Sequence, residues 1–191
     1  MTLNKYIEQN YSNNLVKLFK VFRKKNKFNV AISKINLLKC CEILEKHINY
    51  RLMFGTLLGI YRDGELIAHD KDVDIALPYT DIDKLVDVLP ILESVGFSVI
   101  RYDPDLILSL GRAGNYVDLY FFKYNENSKD FCCSQYHLEP LDFTTNNTVS
   151  YMGREFPIIN NPEKFFTCYY GFNWKTSVKN KQARFRKTKG E

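Results

Sequence analysis

The chain of 191 residues lacks the features that mark membrane-spanning, secreted and zinc-finger proteins. No stretch approaches the roughly 18 consecutive apolar residues that a membrane-spanning helix needs, and residues 1–5 lack the apolar core of a signal peptide. The five cysteines, at positions 40, 41, 132, 133 and 168, show neither the CxxC spacing of zinc sites nor a disulfide framework. We therefore expect a protein with reduced thiols that is located in the cytoplasm, either in solution or at the inner face of the membrane.

Acidic residues are scarce at both ends of the chain. Residues 1–27 and residues 175–191 each have a net charge of +6, so residues 28–174 have a net charge of −7 within the total of +5. An acidic body suits a metal site. The basic ends suit contact with anionic lipid or nucleic acid, or simply improve solubility.

The length predicts a single domain over residues 1–191. Within it we expect a basic N-terminal helix over residues 1–30, a core over residues 31–175 and a basic tail over residues 176–191. The hydrophobic pattern predicts helix over most of residues 3–26, with an apolar stripe that either packs on the core or lies on a membrane surface. Further elements are predicted as helices at 32–48, 80–95 and 162–170, and as strands at 50–54, 97–102, 106–112, 116–123, 131–138, 148–152 and 156–158.

One segment contains most of the chemically informative residues. Gly55 is expected to turn a strand into a short helix, and a second strand carries Asp70, Asp72 and Asp74 on one face, because side chains alternate along a strand. Three neighbouring carboxylates repel one another unless a cation lies between them. Mg²⁺ takes oxygen ligands and often binds substrate phosphates as well. Gly55 would let a ligand approach the backbone, and the amides that open the helix at Thr56 would suit a phosphate. The alternative is that Asp70, Asp72 and Asp74 form the solvated edge of a surface strand.

The pattern Gly55-Thr56-x-x-Gly59-x-x-Arg62, followed by Asp70-x-Asp72-x-Asp74, resembles the LicD/fukutin family of the nucleotidyltransferase-fold superfamily. The resemblance extends over about residues 38–175. It implies an α/β (α+β) nucleotidyltransferase-like fold with a mixed central β-sheet flanked by helices. It also implies a transferase that moves a phosphorylated alcohol, such as phosphocholine, from a CDP-linked donor to a glycan of the cell envelope, for example lipopolysaccharide or capsule.

The resemblance also implies roles for the acids. The superfamily signature has an apolar residue between two acids, so Asp72 and Asp74 are the expected metal pair and Asp70, which precedes Lys71, is a supporting acid. Asp118 stands in an otherwise apolar predicted strand, where an acid costs stability unless it is paired or bound to a metal. It is the expected third metal ligand, with an acid on a water-facing edge strand as the alternative.

The remaining candidate residues are expected to bind substrate. Gly55 and Thr56 would contact one phosphate, and Arg62 would contact another through two hydrogen bonds unless it is a surface arginine. His69 replaces the family's aromatic residue and would contact the donor or acceptor or carry a proton. Asp70 or Asp118 would accept the proton of the acceptor hydroxyl. The expected cofactor is Mg²⁺ or Mn²⁺.

Three classes of function remain open at this stage. The first is the phosphotransferase, which needs a CDP-linked donor and a glycan or lipid-linked glycan acceptor, with possible membrane contact through the basic ends. The second is a nucleotidylyltransferase that uses the same acids on a nucleoside triphosphate. The third is a non-catalytic module that binds lipid or RNA. Three acids at the expected positions favour an enzyme, and no nucleic-acid partner is expected.

Overall fold

The computed structural model describes residues 1–11, 14–26 and 28–177. This part of the chain forms six α-helices: α1 (Leu3–Asn10), α2 (Leu15–Lys25), α3 (Val30–Leu44), α4 (Phe54–Asp63), α5 (Leu85–Ser94) and α6 (Pro162–Tyr170). Two short 3-10 helices, Tyr79–Lys84 and Pro140–Phe143, complete the helical structure of these residues.

A seven-stranded sheet lies at the centre of the molecule. Its strands are β1 (Arg51–Leu52), β2 (Asp72–Pro78), β3 (Ser98–Asp103), β4 (Ile107–Arg112), β5 (Asn115–Asn125), β6 (Asp130–Cys133) and β7 (Tyr136–Leu138). The first five strands have the order β1-β2-β5-β4-β3, while β6 pairs with the far end of β5 and β7 pairs with β6. A separate hairpin is formed by β8 (Thr148–Tyr151) and β9 (Arg154–Pro157).

The two central strands, β2 and β5, run parallel, whereas the other strand pairs are antiparallel. One face of β2 presents Val73, Ile75 and Leu77, which are completely buried in the hydrophobic core. The opposite face of β2 presents Asp72 and Asp74, because adjacent side chains point to opposite faces. The predicted fold class, a mixed central sheet flanked by helices, is confirmed.

The N-terminal segment differs from its prediction. Two helices, α1 and α2, replace the continuous helix expected over most of residues 3–26. Helix α2 packs against β3, with Phe19 and Phe22 half-buried, which agrees with the expectation that its apolar stripe packs on the core. Val16, Leu18 and Val21 of α2 remain exposed.

Helix α3 ends four residues earlier than predicted and differs from the predicted burial pattern near its N-terminus. The helical spacing of the apolar residues within 32–48 favours burial of Ile35, but Ile35 is 46% exposed, and two polar residues, Ser33 and Asn36, are completely buried instead. Asn36 exchanges hydrogen bonds with Arg112, and Asn115 donates to the Ser33 hydroxyl. These bonds to the β4–β5 turn satisfy the buried polar groups, which a hydrophobic pattern does not reveal.

Two further differences concern shorter elements. Residues 131–138, predicted as one strand, form the β6–β7 hairpin. The helix predicted at 80–95 begins instead as the 3-10 helix Tyr79–Lys84, which precedes α5. The helix predicted at 162–170 is confirmed as α6, whose N-terminus is capped by the Asn161 side chain.

Helices in the described ranges are all too short or too polar to span a bilayer. Most of the predicted basic tail over residues 176–191 lies outside the described residues, because the description ends at residue 177.

Candidate functional site

The central strands place four polar side chains in one row across the sheet. Asp74 of β2 pairs in register with Asp118 of β5, Asp118 pairs with Ser109 of β4, and Ser109 pairs with Arg101 of β3. Residues paired in this way lie on the same face of a sheet. Asp72 is two residues before Asp74, so it lies on this face as well.

Asp70, Asp72 and Asp74 form a compact group of carboxylates. One oxygen of each lies within 4.8 Å of the corresponding oxygens of the other two. Asp70 and Asp74 are buried, and Asp72 is half-buried. Strand β2 begins at Asp72, so Asp70 reaches the group from the preceding loop and not from the strand as predicted. Asp118 lies beside this group in the neighbouring strand.

The start of α4 holds the position of Asp74. The Gly55 amide donates a hydrogen bond to Asp74 Oδ2 at 3.2 Å, and the Asp74 amide donates to Thr56 Oγ1 at 2.8 Å. Gly55 is required here because a Cβ at this position would lie 1.8 Å from Asp70 Oδ2. The preceding residue, Phe54, has a φ of +44°, a left-handed conformation that is unfavourable for a bulky side chain. The backbone is therefore held close to the acids at some cost in strain.

The charges of the acids interact strongly. Burial raises the pKa of Asp74 well above its usual value, and the neighbouring charges of Asp72, Asp70 and Asp118 raise it further. Burial, followed by the charge of Asp72, raises the pKa of Asp118 to about 7. The Ser109 hydroxyl, which donates to Asp118 Oδ1, and the charges of Arg101 and Arg23 oppose that rise. Without a bound cation, the folded chain therefore resists ionisation of both carboxyl groups.

The donor set fits a hard divalent cation. All the grouped ligand atoms are carboxylate oxygens, which Mg²⁺ and Mn²⁺ prefer. A cation in the group would compensate the repulsion that raises the pKa of Asp74. Asp70, Asp72 and Asp74 are therefore residues that could hold a hard divalent cation. Asp118, the expected third ligand, lies beside this group and not within it, so metal binding by Asp118 stays a prediction.

Helix α2 covers part of the same face of the sheet. The rings of Phe19 and Phe22 pack edge-on against Tyr116, with ring centroids 5.4 and 6.3 Å away. Tyr116 in turn donates a hydrogen bond to Asp72 Oδ2 at 3.1 Å. The Arg101 guanidinium lies 5.2 Å from the centre of the Phe19 ring. The basic helix thus forms one wall beside the acids.

The predicted substrate-binding residues make contacts within the protein or face solvent. Arg62 donates two hydrogen bonds to the adjacent Asp63 carboxylate and one to the Trp174 carbonyl oxygen. His69 is exposed in the loop before Asp70. The Gly55 amide and the Thr56 hydroxyl are both bonded to Asp74. Phosphate binding by Gly55, Thr56 and Arg62, and the predicted role of His69 as a substrate contact or proton carrier, stay predictions.

Ser109, Tyr116 and Arg101 were missed as site residues. The sequence signal for Ser109 is the turn residue Gly114. In the structure Ala113 and Gly114, both with positive φ, form a two-residue hairpin turn, and the length of this turn fixes the strand register. Counting back from that turn pairs Ser109 with Asp118. The prediction placed three residues in this turn, 113–115, and so did not fix the register. Nothing local to residues 98–103 indicates that Arg101 faces the acids.

The close approach of Gly55 to Asp70 generates a prediction. We expect Gly55→Ala to lower the free energy of unfolding by about 2 kcal/mol, because the added methyl group forces Asp70 out of its position. In an Asp70→Ala background the same substitution should cost much less, since the obstructing carboxylate is gone and alanine favours a helix over glycine by about 1 kcal/mol. Urea unfolding of the four proteins measures this coupling. An equal decrease in the free energy of unfolding in both backgrounds would contradict the close approach of Gly55 to Asp70.

Comparison with known proteins places this geometry in a family. The family model described as "LicD/FKTN/FKRP, nucleotidyltransferase domain" matches residues 47–161, which include all four acids but not α6. No curated protein matches the chain.

Two solved structures resemble the fold. The solution structure of the antibiotic-resistance factor ANT(2'')-Ia aligns with a TM-score of 0.54 and 11% identity, over 76% of this chain and 74% of that one. A crystal structure of ANT(2'')-Ia in complex with adenylyl-2''-tobramycin aligns with a TM-score of 0.50 and 12% identity, over 74% and 76% of the two chains. At this identity the likeness shows the fold alone. The family match covers more than half of the sequence, and the chain belongs to the LicD/FKTN/FKRP family of nucleotidyltransferase-fold proteins.

Proposed function

We propose that this protein is a Mg²⁺- or Mn²⁺-dependent phosphotransferase of the LicD type. It moves a phosphorylated alcohol from a CDP-linked donor to a glycan or lipid-linked glycan acceptor. The observation that carries the proposal is the group of Asp70, Asp72 and Asp74, whose oxygens lie within 4.8 Å of one another beside the α4 N-terminus. Membership of the family supports transfer chemistry in general.

The acids have distinct tasks in this proposal. Asp70, Asp72 and Asp74 hold the metal ion, which when bound neutralises charge on the donor diphosphate and on the departing CMP. Asp118 is the better candidate to accept the proton of the acceptor hydroxyl, since it lies at the side of the metal-binding group and a metal-bound carboxylate such as Asp70 is a weaker base. Ser109 orients Asp118 by donating to its Oδ1.

Positive charge for the donor phosphates has two candidate sources. Arg62 is the sequence-based candidate, but its guanidinium is bonded to Asp63 and to the Trp174 carbonyl oxygen. Arg101 is the structure-based candidate, because it lies in the same row of the sheet as Asp118 and acts on the pKa of that carboxyl group. Arg23, from the neighbouring α2, acts on Asp118 in the same way. We favour Arg101.

The basic helix α2 also suggests where a lipid-linked acceptor would approach. It exposes Val16, Leu18 and Val21 among the side chains of Lys17, Lys20, Arg23, Lys24 and Lys25. Exposed apolar groups surrounded by lysine and arginine suit contact with an anionic membrane surface. We propose peripheral membrane contact through this helix, with the protein at the cytoplasmic face.

A nucleotidylyltransferase is the second candidate. One structural neighbour was solved with an adenylylated aminoglycoside, so a related fold accommodates the product of nucleotidyl transfer. The same three acids would serve that reaction on a nucleoside triphosphate, with pyrophosphate as the leaving group. The identity of the released product distinguishes the two reactions.

Product analysis tests the proposal. We expect slow release of CMP when the protein with Mg²⁺ receives one of CDP-choline, CDP-ribitol or CDP-glycerol, because water can replace the glycan hydroxyl as the acceptor of the phosphorylated alcohol. EDTA should abolish the release. Pyrophosphate from CTP or ATP would instead establish the nucleotidylyltransferase. Salt-sensitive binding of RNA or lipid, without turnover of any nucleotide and without metal-dependent thermal stabilisation by a nucleotide, would support the non-catalytic module.

The same assay tests the assignment of the acids. Asp74→Asn should lower turnover by roughly 1000-fold, because loss of the metal removes several kcal/mol of charge stabilisation. Asp105→Asn, in the exposed turn between β3 and β4, is the matched control and should retain activity. Full activity in Asp74→Asn would overturn the proposed site.

A pair of arginine variants separates the two candidate sources of positive charge. We expect Arg101→Gln to raise the KM for the donor nucleotide by about 10-fold, the effect of losing a charged hydrogen bond. Arg62→Gln should leave the KM nearly unchanged, although it should lower the melting temperature through the lost contact with Trp174. The reverse order of KM effects would place the phosphate near the end of α4.

A further inference from the structure

A second group of potential ligands lies on the β6–β7 hairpin. Asp130 and Cys132 are two residues apart in β6 and therefore share a face of the strand. His137 of β7 pairs directly with Cys132 across the hairpin. One ligand atom from each of the three side chains lies within 4.8 Å of the other two. The hairpin register alone thus brings a carboxylate, a thiol and an imidazole to one point.

The contacts in this group exclude a nucleophilic arrangement. His137 Nδ1 lies 2.7 Å from Asp130 Oδ2 and also 3.4 Å from Cys132 Sγ, so one imidazole nitrogen faces both partners. A Cys-His-Asp relay needs the acid and the thiol on opposite ring nitrogens. Burial and the contact with Asp130 also raise the pKa of the Cys132 thiol, whereas a nucleophilic cysteine needs a lowered one.

We propose that Asp130, Cys132 and His137 form a Zn²⁺ site. Zinc binds thiolate, imidazole and carboxylate ligands together, whereas Mg²⁺ prefers an all-oxygen set such as Asp70, Asp72 and Asp74. Three protein ligands leave the fourth tetrahedral position to water or another ligand. On binding, the Cys132 thiol loses its proton to solvent as the zinc–sulfur bond forms.

Neighbouring groups already hold two of the ligands in place. The Ser128 hydroxyl donates to Asp130 Oδ1, and the His137 amide donates to the Tyr169 hydroxyl of α6 at 2.9 Å. The bond from Ser128 orients the Asp130 carboxylate, as outer hydrogen bonds to metal ligands do, whereas the bond from the His137 amide fixes only the backbone that carries the imidazole. Between the ligands along the chain, Tyr136 packs on Phe54 with ring centroids 4.4 Å apart. Bound zinc would therefore also fix the residue that precedes Gly55 at the start of α4.

Cobalt spectroscopy on the full chain tests the site without reference to turnover. An Asp72→Asn/Asp74→Asn background removes competing metal binding by the acids, so the result does not depend on the proposed function. In this background we expect Co²⁺ to give the absorption of a cobalt–thiolate bond, and one equivalent of Zn²⁺ to abolish it. Cys132→Ser should remove the absorption, and His137→Asn should weaken Co²⁺ binding by roughly 10-fold or more. Cys168→Ser, at an exposed cysteine of α6, is the matched control and should change neither the absorption nor the affinity for Co²⁺.

Each result decides the question. Cobalt–thiolate absorption that persists in Cys132→Ser but disappears in Cys168→Ser would place metal binding elsewhere and overturn the proposal. Absence of the absorption at saturating Co²⁺ in the folded background protein would reduce the group to a surface ion pair between His137 and Asp130. Zinc should also raise the melting temperature of the background protein, and this increase should vanish in both ligand variants.

Discussion

Repulsion among buried carboxylates is the constraint on which this structure depends. Strand β2 begins with Asp72 and Asp74, and its parallel partner β5 brings Asp118 directly beside Asp74. Burial and the charges of Asp72, Asp70 and Asp118 raise the pKa of Asp74, and burial and the charge of Asp72 raise the pKa of Asp118. The folded chain tolerates the arrangement because β2 and β5 also bury a continuous apolar face, with Val73, Ile75 and Leu77 completely enclosed.

The elements around the acids can be understood as responses to this constraint. Helix α4 directs the Gly55 amide at Asp74, and the glycine leaves space for Asp70. Strand β4 supplies Ser109 as a hydrogen-bond donor to Asp118, and β3 adds the positive charge of Arg101 in the same row. These groups compensate part of the negative charge. A divalent cation would compensate more of it, at the point where we propose that the donor diphosphate binds.

Much of the site could be predicted from the sequence because its information is local. Alternation along a strand is sufficient to group Asp72 with Asp74, and an acid within an apolar strand is conspicuous at Asp118. Pairing between strands is not local. The row from Asp118 through Ser109 to Arg101 can be predicted only if the register of both hairpins, β4–β5 and β3–β4, is known. One of the contacts that engage Arg62 is likewise not local, because its partner Trp174 is 112 residues away in sequence.

The same distinction explains the errors in the helices and the missed second metal group. Ser33 and Asn36 of α3 are buried through hydrogen bonds to distant turn residues, whereas the hydrophobic pattern favoured Ile35. The chain has no pair of cysteines in CxxC spacing, which is the sequence signal of a common class of zinc site. Cys132 and His137 meet because a strand predicted to be continuous turns back at Ser134, a residue with positive φ.

The central claim is that Asp70, Asp72 and Asp74 hold a divalent cation at which the donor diphosphate binds. Anomalous diffraction from crystals grown with Mn²⁺ and a CDP-linked donor measures the position of the metal directly. The account predicts an anomalous peak within coordination distance of carboxylate oxygens of these three residues, with nucleotide phosphate oxygens completing the shell. Ordered nucleotide with no manganese among these acids, at a saturating concentration, would contradict it.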